Sequence, residues 1–211
     1  MEVLSTNISE LKKISVNGRE EKTGFFKSVV HRPISLGKNG VEGDRIGDRV
    51  HHGGPDKACY LYSFDHYDFW RAKYPNLNWD YGMFGENLTV QGLNEAEVNI
   101  GDIFNVGTAT VQLSQPRQPC YKLGVKFEDP KMVKAFKSTP YPGVYVRVLE
   151  EGFVKAGDNF QLVNKSHNSL SVAQVFELIY DKTPCSEILH QAINDEALAI
   201  NVKNYLLNKH S

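Results

Sequence analysis

The stretch DIFNVGTATVQL, residues 102–113, decides the fold class. β-Branched and aromatic residues dominate it, and Gly107 divides it into segments 102–106 and 108–113, where a tight reversal requires positive φ. The pattern predicts two strands joined by a hairpin turn. Residues 144–149 have the same composition and predict a third strand.

The chain around this hairpin, from about residue 3 to residue 163, consists of short β-prone pieces separated by turns that contain glycine. This organisation predicts a mainly β fold, a mostly antiparallel barrel or sandwich. Two helices are predicted to interrupt it, over residues 64–73 and from residue 129 or 130 to about 137. We interpret them as insertions into the β framework.

The sequence changes character at its C-terminal end, which has no glycine from Ser171 onward. Ser171 is followed by apolar residues at helical spacing, and two more helices are predicted to begin at Thr183-Pro184 and at Asp195. We therefore predict a β domain over residues 1–165 and a three-helix domain over residues 166–211. So short a helical segment is near the lower limit for independent folding, and we expect it to complete a homodimer or to shield a pocket mouth.

Composition excludes several classes of protein. The 211 residues are 41% hydrophobic and 23% charged, which is typical of a globular protein and not of a disordered or coiled-coil chain. The net charge of -1 provides no long-range field for nucleic acid or anionic lipid, so we expect neither as a partner. No apolar run is long enough to span a membrane and the start lacks a secretory pattern, which predicts a cytoplasmic protein.

The segment QPRQPC, residues 115–120, is the strongest candidate for chemistry. Its two prolines stiffen the backbone on either side of Arg117, and Cys120 stands where a helical turn begins. We expect a thiol at a helix N-terminus with Arg117 and Lys122 nearby to ionise more easily than a free thiol, and a thiolate attacks electrophiles, carries sulfur or binds a soft metal. The alternative is a buried cysteine that packs as a small apolar residue. Cys59 and Cys185 are too far from each other and from Cys120 in the sequence for a disulfide framework, and we interpret all three as free thiols.

Three further segments contain ligand-binding residue types. In residues 43–58, glycines permit close backbone approach, and Arg45, His52 and Lys57 offer donors to a phosphate or carboxylate, although a solvated glycine-proline turn also explains them. Glu86 and Asn87 together can read the edge of a heterocycle or form an ordinary turn. Residues 22–24 supply an ammonium and a hydroxyl, but they lack the frame of a P-loop.

The order of these motifs resembles a MOSC domain, the module named for the C-terminal part of molybdenum cofactor sulfurase. The resemblance spans about residues 20–163 and rests on the motifs Gly43-Asp44-Arg45, His52-Gly53-Gly54-Pro55-Asp56-Lys57-Ala58, Gly85-Glu86-Asn87-Leu88, Gly101-Asp102, Pro116-Arg117-Gln118-Pro119-Cys120 and Gly143-Val144-Tyr145-Val146-Arg147-Val148. The C-terminal segment resembles the three-helix domain of bacterial MOSC proteins associated with resistance to hydroxylaminopurine.

The resemblance implies a β-barrel-like fold with a pocket for the molybdenum cofactor, a pterin dithiolene with a terminal phosphate. By position, Cys120 would ligate the metal and act as the catalytic residue. The other residues carried over to cofactor binding are Lys22, Thr23, Arg45, His52, Lys57, Glu86, Asn87 and Arg117.

The resemblance also implies a function, the reduction of N-hydroxylated bases and related compounds to amines. The sequence has no flavin or nicotinamide fingerprint, so electrons would come from a separate reductase. Two alternatives stay open, a sulfur carrier that holds a persulfide and a non-catalytic carrier of the cofactor. The chain has no room for the desulfurase part that accompanies the domain in true sulfurases.

Overall fold

The structure is a computed structural model that describes residues 1–16, 18–47, 53–167 and 169–210. The strands are β1 (Glu2–Ile8), β2 (Lys12–Val16), β3 (Arg19–Thr23), β4 (Ser28–Val29), β5 (Ile34–Gly37), β6 (Gly40–Val41), β7 (Cys59–Ser63), β8 (Leu88–Gln91), β9 (Ile103–Val106), β10 (Ala109–Pro116), β11 (Val144–Glu150), β12 (Gly152–Val154) and β13 (Gln161–Asn164). The α-helices are α1 (Tyr67–Lys73), α2 (Tyr121–Lys126), α3 (Met132–Lys137), α4 (Val172–Tyr180), α5 (Ser186–Asn194) and α6 (Ile200–Lys209).

An eight-stranded sheet forms the frame, in the order β13-β9-β10-β11-β7-β8-β1-β4, and it curls into a half-barrel. Its pairs are antiparallel except for β7 and β8, which run parallel. The mainly β prediction is therefore confirmed. The predicted hairpin joins β9 to β10, and Gly107 has the expected positive φ of 57°. A Cβ atom at Gly107 would lie 2.2 Å from the carbonyl oxygen of Phe153, so only glycine fits this turn.

The inserted helices cover an aromatic cluster beside the sheet. The first begins as a 3₁₀ turn at Phe64 and continues as α1, and the second is α3, so both predicted insertions are present. Tyr67 and Trp70 of α1 are fully buried and pack against Phe84, as their helical spacing predicts. This cluster also contains Tyr60 of β7, whose ring reaches the site described below.

The C-terminal helices pack onto the sheet and share its main hydrophobic core. Helix α4 begins at the predicted cap, because the Ser171 hydroxyl accepts a hydrogen bond from the Gln174 amide at 3.1 Å and the Gln174 side chain accepts one from the Ser171 amide. The predicted starts of the next two helices are wrong by a few residues. Helix α5 begins at Ser186, and α6 begins at Ile200 because the Asp195 carboxylate binds the Ala197 amide in a turn that precedes the helix.

The division into domains at residues 165 and 166 stays a prediction, since the helices contribute to the same core as the sheet. Within the described residues, no helix combines the length and apolarity that crossing a bilayer requires.

Candidate functional site

The segment after β10 lies on a cleft with two adjoining chambers. The narrow chamber encloses about 600 Å³ with its mouth, and the wide chamber about 1080 Å³. Lys57, Cys120, Lys122 and Tyr145 line both chambers. These four residues therefore mark the junction of the cleft.

Cys120 is the cysteine that faces this cleft. It is half-buried and occupies the N-cap position of α2 in extended conformation, which confirms that a helical turn begins there. Cys59 is fully buried in β7, and burial raises the pKa of its thiol. Cys185 is exposed at the start of α5 and lines neither chamber. All three thiols are free, and Cys120 alone combines access with a position in the cleft.

The narrow chamber is lined by more cations than anions. Its charged lining residues are Lys27, Asp44, Lys57, Arg117 and Lys122. Four of these side chains are basic and one is acidic, so the chamber favours an anionic guest. This local excess exists although the chain as a whole carries a net charge of -1.

Arg117 is buried in the chamber wall with 4% of its surface exposed. Its guanidinium carbon lies 5.0 Å from the ring centre of Tyr60 and 5.3 Å from that of Phe25. Burial raises the pKa of the Tyr60 and Tyr145 phenols, so neither supplies a counter-charge at neutral pH. Within the described part of the chain, Arg117 Nη1 is buried without a hydrogen-bond partner. An anionic ligand in the chamber would supply the hydrogen-bond acceptor that Arg117 Nη1 lacks.

A hydrogen-bond network around Asp44 forms the opposite wall. Asp44 Oδ1 accepts from the amide and hydroxyl of Ser9 at 2.8 and 2.9 Å, and Oδ2 accepts from Lys27 and, at 3.0 Å, from Asn87 Nδ2. Asn87 Oδ1 accepts from the amide of Tyr60 at 3.2 Å. Lys27 and Asp44 form a buried ion pair, with 6% and 5% of their side chains exposed. The network fixes the shape of the chamber from strands and loops that are distant in sequence.

Two glycines allow the segment after β3 to cross the loop after Asp44. A Cβ atom at Gly24 would lie 1.5 Å from the carbonyl oxygen of Arg45, and one at Gly47 would lie 2.3 Å from that of Lys22. The crossing brings three of the predicted cofactor-binding residues, Lys22, Thr23 and Arg45, to one corner of the cleft. Thr23 lines the narrow chamber, whereas Lys22 and Arg45 are exposed beside it and are not part of its lining.

Glu86 does not line the cleft. Its carboxylate is fully buried and accepts hydrogen bonds from the amides of Gly82 and Phe84 and from the hydroxyls of Tyr67 and Thr89. Burial raises the pKa of Glu86, while these donors favour its ionised form. Glu86 therefore stabilises the loop that precedes Asn87.

Of the residues predicted from the sequence, Thr23, Lys57, Asn87 and Arg117 line the narrow chamber together with Cys120. His52 lies outside the described residues. Sequence reasoning missed Lys27, Asp44 and Tyr145 as parts of the site. Asp44 and Tyr145 stand inside quoted motifs, but no local pattern shows which side chains they meet.

The donor set fits a ring-shaped anionic cofactor that carries its own metal. No group of three or more His, Cys, Asp or Glu side chains is arranged to hold a metal ion in the described part of the chain. Cys120 is the residue of the cleft whose thiolate would bind a soft metal that such a cofactor carries. Arg117, whose Nη1 atom has no hydrogen-bond partner among the described residues, lies beside the aromatic rings of Phe25 and Tyr60 and suits the anionic part of such a group.

The comparisons with known proteins agree with this geometry. Residues 48–161 match the family model of the MOSC domain. The chain is 39% identical over 197 residues to the YflK protein of Bacillus subtilis (strain 168), which covers 93% of this chain and 89% of that protein. A protein named "Reductase" from Gibberella moniliformis is 32% identical over 180 residues, which are 84% of this chain and 32% of the fungal protein. The crystal structure of YiiM from Geobacillus stearothermophilus matches with a TM-score of 0.84 at 32% identity, over 100% of this chain and 99% of that one.

Proposed function

Because the chain belongs to the MOSC domain family, we propose that it is a cytoplasmic oxidoreductase that binds the molybdenum cofactor and reduces N-hydroxylated bases and related compounds to amines. The observation that carries the proposal is the position of Cys120. Its half-buried thiol lies where the two chambers meet, next to a buried guanidinium whose Nη1 atom has no acceptor among the described residues. A soft thiolate suits molybdenum, and the guanidinium suits the anionic part of the cofactor.

The remaining residues have roles that follow from their contacts. Lys57, Arg117 and Lys122 would bind the anionic groups of the cofactor, and Asp44 and Asn87 hold the chamber in shape. Phe25 and Tyr60 line the same chamber and would provide apolar contact to the pterin. When bound, the cofactor supplies the two-electron chemistry in which R–NHOH, two electrons and two protons give R–NH₂ and water.

The electrons would come from a separate reductase. A fungal protein named "Reductase" supports a reductive activity, since 84% of this chain aligns with about a third of that protein. The alternative functions, a persulfide carrier and a non-catalytic cofactor carrier, use the same thiol and the same chamber, so the experiment must separate them.

The test is to purify the chain from a host that makes the cofactor, measure molybdenum per chain, and follow the loss of hydroxylaminopurine with a chemical reductant. We expect Cys120→Ala to lose both bound molybdenum and turnover because it removes the metal ligand. Cys185→Ala is the matched control and should retain both, since Cys185 lies outside the cleft.

Each other outcome points to a different function. Bound metal without turnover would favour a cofactor carrier. Sulfane sulfur on Cys120 without metal or turnover would favour a persulfide carrier. A Cys120→Ala protein with full metal and full activity would overturn the assignment of the ligand.

A further inference from the structure

The wide chamber differs in chemistry from the narrow one. It adjoins Cys120 and is lined by amide side chains, two prolines and two lysines, and no carboxylate side chain is part of its described lining. Asn201 of α6 also lines it, so the C-terminal helices form part of this chamber. The chamber therefore offers polar contacts to a guest and disfavours a cationic one.

Gln115 is the buried residue that distinguishes this chamber. It is 2% exposed, and its Oε1 atom accepts no hydrogen bond within the described residues. Buried side-chain atoms without a partner are rare here, and they comprise Gln115 Oε1, Arg117 Nη1 and His210 Nε2 among the described residues. Two of these three belong to the segment that lines the cleft. A buried acceptor without a donor is unfavourable unless a ligand brings one.

The backbone places Gln115 at the cleft. The pairing of β10 with β11 shifts register between Leu113 and Gln115, and after the shift Gln115 lies directly opposite Tyr145. A β-bulge re-aims the side chains that follow it, which is a common device next to binding sites. Gln115 and Tyr145 both line the wide chamber, beside Cys120.

We infer that the wide chamber is the substrate subsite and that Gln115 determines specificity by accepting a hydrogen bond from an N–H group of the substrate. This inference rests on the proposed function, because it assigns the substrate of the same reaction. The lysines disfavour cationic amines. Among the N-hydroxylated bases of the proposed function, the group assigned to this contact is the N–H on the hydroxylated nitrogen.

The test compares two substrates in the cofactor-loaded protein, hydroxylaminopurine and its analogue methylated on the hydroxylamino nitrogen. Gln115→Met keeps the length of the side chain and removes the acceptor. We expect its kcat/KM for hydroxylaminopurine to fall about tenfold or more, mainly through KM, because a buried hydrogen bond is lost. The value for the methylated analogue should not change, since that compound has no N–H on the hydroxylated nitrogen and shares its ring N–H and its O–H with hydroxylaminopurine.

Two controls accompany this test. Molybdenum per chain should stay at the wild-type level in Gln115→Met, because Gln115 does not line the narrow chamber. Gln161→Met, in the exposed strand β13, should behave as wild type towards both compounds. Gln115→Leu is the second variant if Gln115→Met does not fold.

A binding measurement separates this inference from the proposed function. Calorimetric titration with adenine, the product amine, should show about tenfold weaker binding to Gln115→Met than to wild type. If wild type turns over and Gln115→Met is equal to it, or loses equally on both substrates, the inference is wrong and the proposed function stands. If wild type holds no molybdenum and has no turnover, the proposed function fails, while adenine binding that depends on Gln115 would still support the subsite. No adenine binding to wild type in that case would overturn both.

Discussion

The two walls of the cleft differ in how their polar groups are satisfied. We call Lys27, Asp44 and Asn87 the network wall, and the segment from Gln115 to Cys120 the loop wall. Both carboxylate oxygens of Asp44 accept two hydrogen bonds each, and Asn87 both donates and accepts. On the loop wall, Gln115 Oε1 and Arg117 Nη1 are buried and have no hydrogen-bond partner in the described part of the chain.

This difference separates residues that maintain the fold from residues that meet a ligand. A satisfied buried network stabilises one geometry, and losing one member leaves the others unpaired. An unsatisfied buried group costs stability in the free protein and gains a partner only when a ligand binds. We therefore expect substitutions on the network wall to affect unfolding, and substitutions on the loop wall to affect binding.

The largest expected effect on stability is at Asp44. Asp44→Asn leaves the buried ammonium of Lys27 without a counter-charge, and we expect the free energy of unfolding to fall by about 3–5 kcal/mol. Urea denaturation followed by tryptophan fluorescence measures it. The control Asp68→Asn breaks an ion pair in which the Asp68 side chain is 90% exposed, and it should change stability by less than about 0.5 kcal/mol.

A second variant tests whether the lost charge pair is the cause. Lys27→Met in the Asp44→Asn background removes the unpaired ammonium and should recover part of the lost stability. If the double variant is no more stable than Asp44→Asn, the network wall is not held together by this ion pair. The double variant remains informative if Asp44→Asn alone does not fold.

The loop wall is the part of the site that the sequence predicts best, because its determinants are local. The prolines around Arg117 and the helical turn that begins at Cys120 can be recognised from consecutive residues, and the structure has both. The strands from β9 to β11 are equally local signals, which is why their bounds are close to the predicted ones. Helix starts at α5 and α6 were missed by a few residues because turn hydrogen bonds compete with capping there.

The network wall was not predictable, because it is made of contacts between distant segments. Lys27 and Asp44 are 17 residues apart, and Asn87 is a further 43 residues along the chain. Glu86 shows the same limit, since it is adjacent to Asn87 and yet its side chain binds the preceding loop instead of the cleft. A motif of consecutive residues does not determine which of two neighbouring side chains faces a cavity.

An intermediate effect is expected at Glu86, behind the network wall. Glu86→Gln places an amide where four donors point, so at least one donor loses its acceptor. We expect the free energy of unfolding to fall by about 1–2 kcal/mol near pH 7. Glu20→Gln, in an ion pair where the Glu20 side chain is 75% exposed, is the control and should stay close to wild type.

The pH dependence of this deficit has a definite sign. Burial raises the pKa of Glu86 in the folded protein above its value of about 4.3 in the unfolded chain. The folded state then binds the proton more tightly, so wild type gains stability from Glu86 below the unfolded pKa and loses it as pH rises through the folded pKa. The glutamine does not titrate, and the deficit of Glu86→Gln should therefore grow as pH falls from 7 towards 4. Urea denaturation across this range measures it, and a deficit that shrinks towards low pH would contradict the raised pKa.

The smallest effect on stability is expected at Arg117. This residue gives the most direct test of whether the two walls differ. Arg117→Met removes a buried cation whose Nη1 atom has no hydrogen-bond partner among the described residues, and methionine retains contact with the rings of Phe25 and Tyr60. Lost cation–π attraction and relieved desolvation oppose each other, so the free energy of unfolding should stay within about 1 kcal/mol of wild type.

Anion binding, in contrast, should depend on Arg117. Pyrophosphate should raise the melting temperature of wild type by occupying the narrow chamber, and this rise should be lost in Arg117→Met but kept in Arg19→Met, an exposed arginine of β3. Thermal denaturation against sodium chloride at equal ionic strength measures both quantities. A strongly destabilised Arg117→Met protein, or one that still responds fully to pyrophosphate, would show that the loop wall maintains the fold as the network wall does.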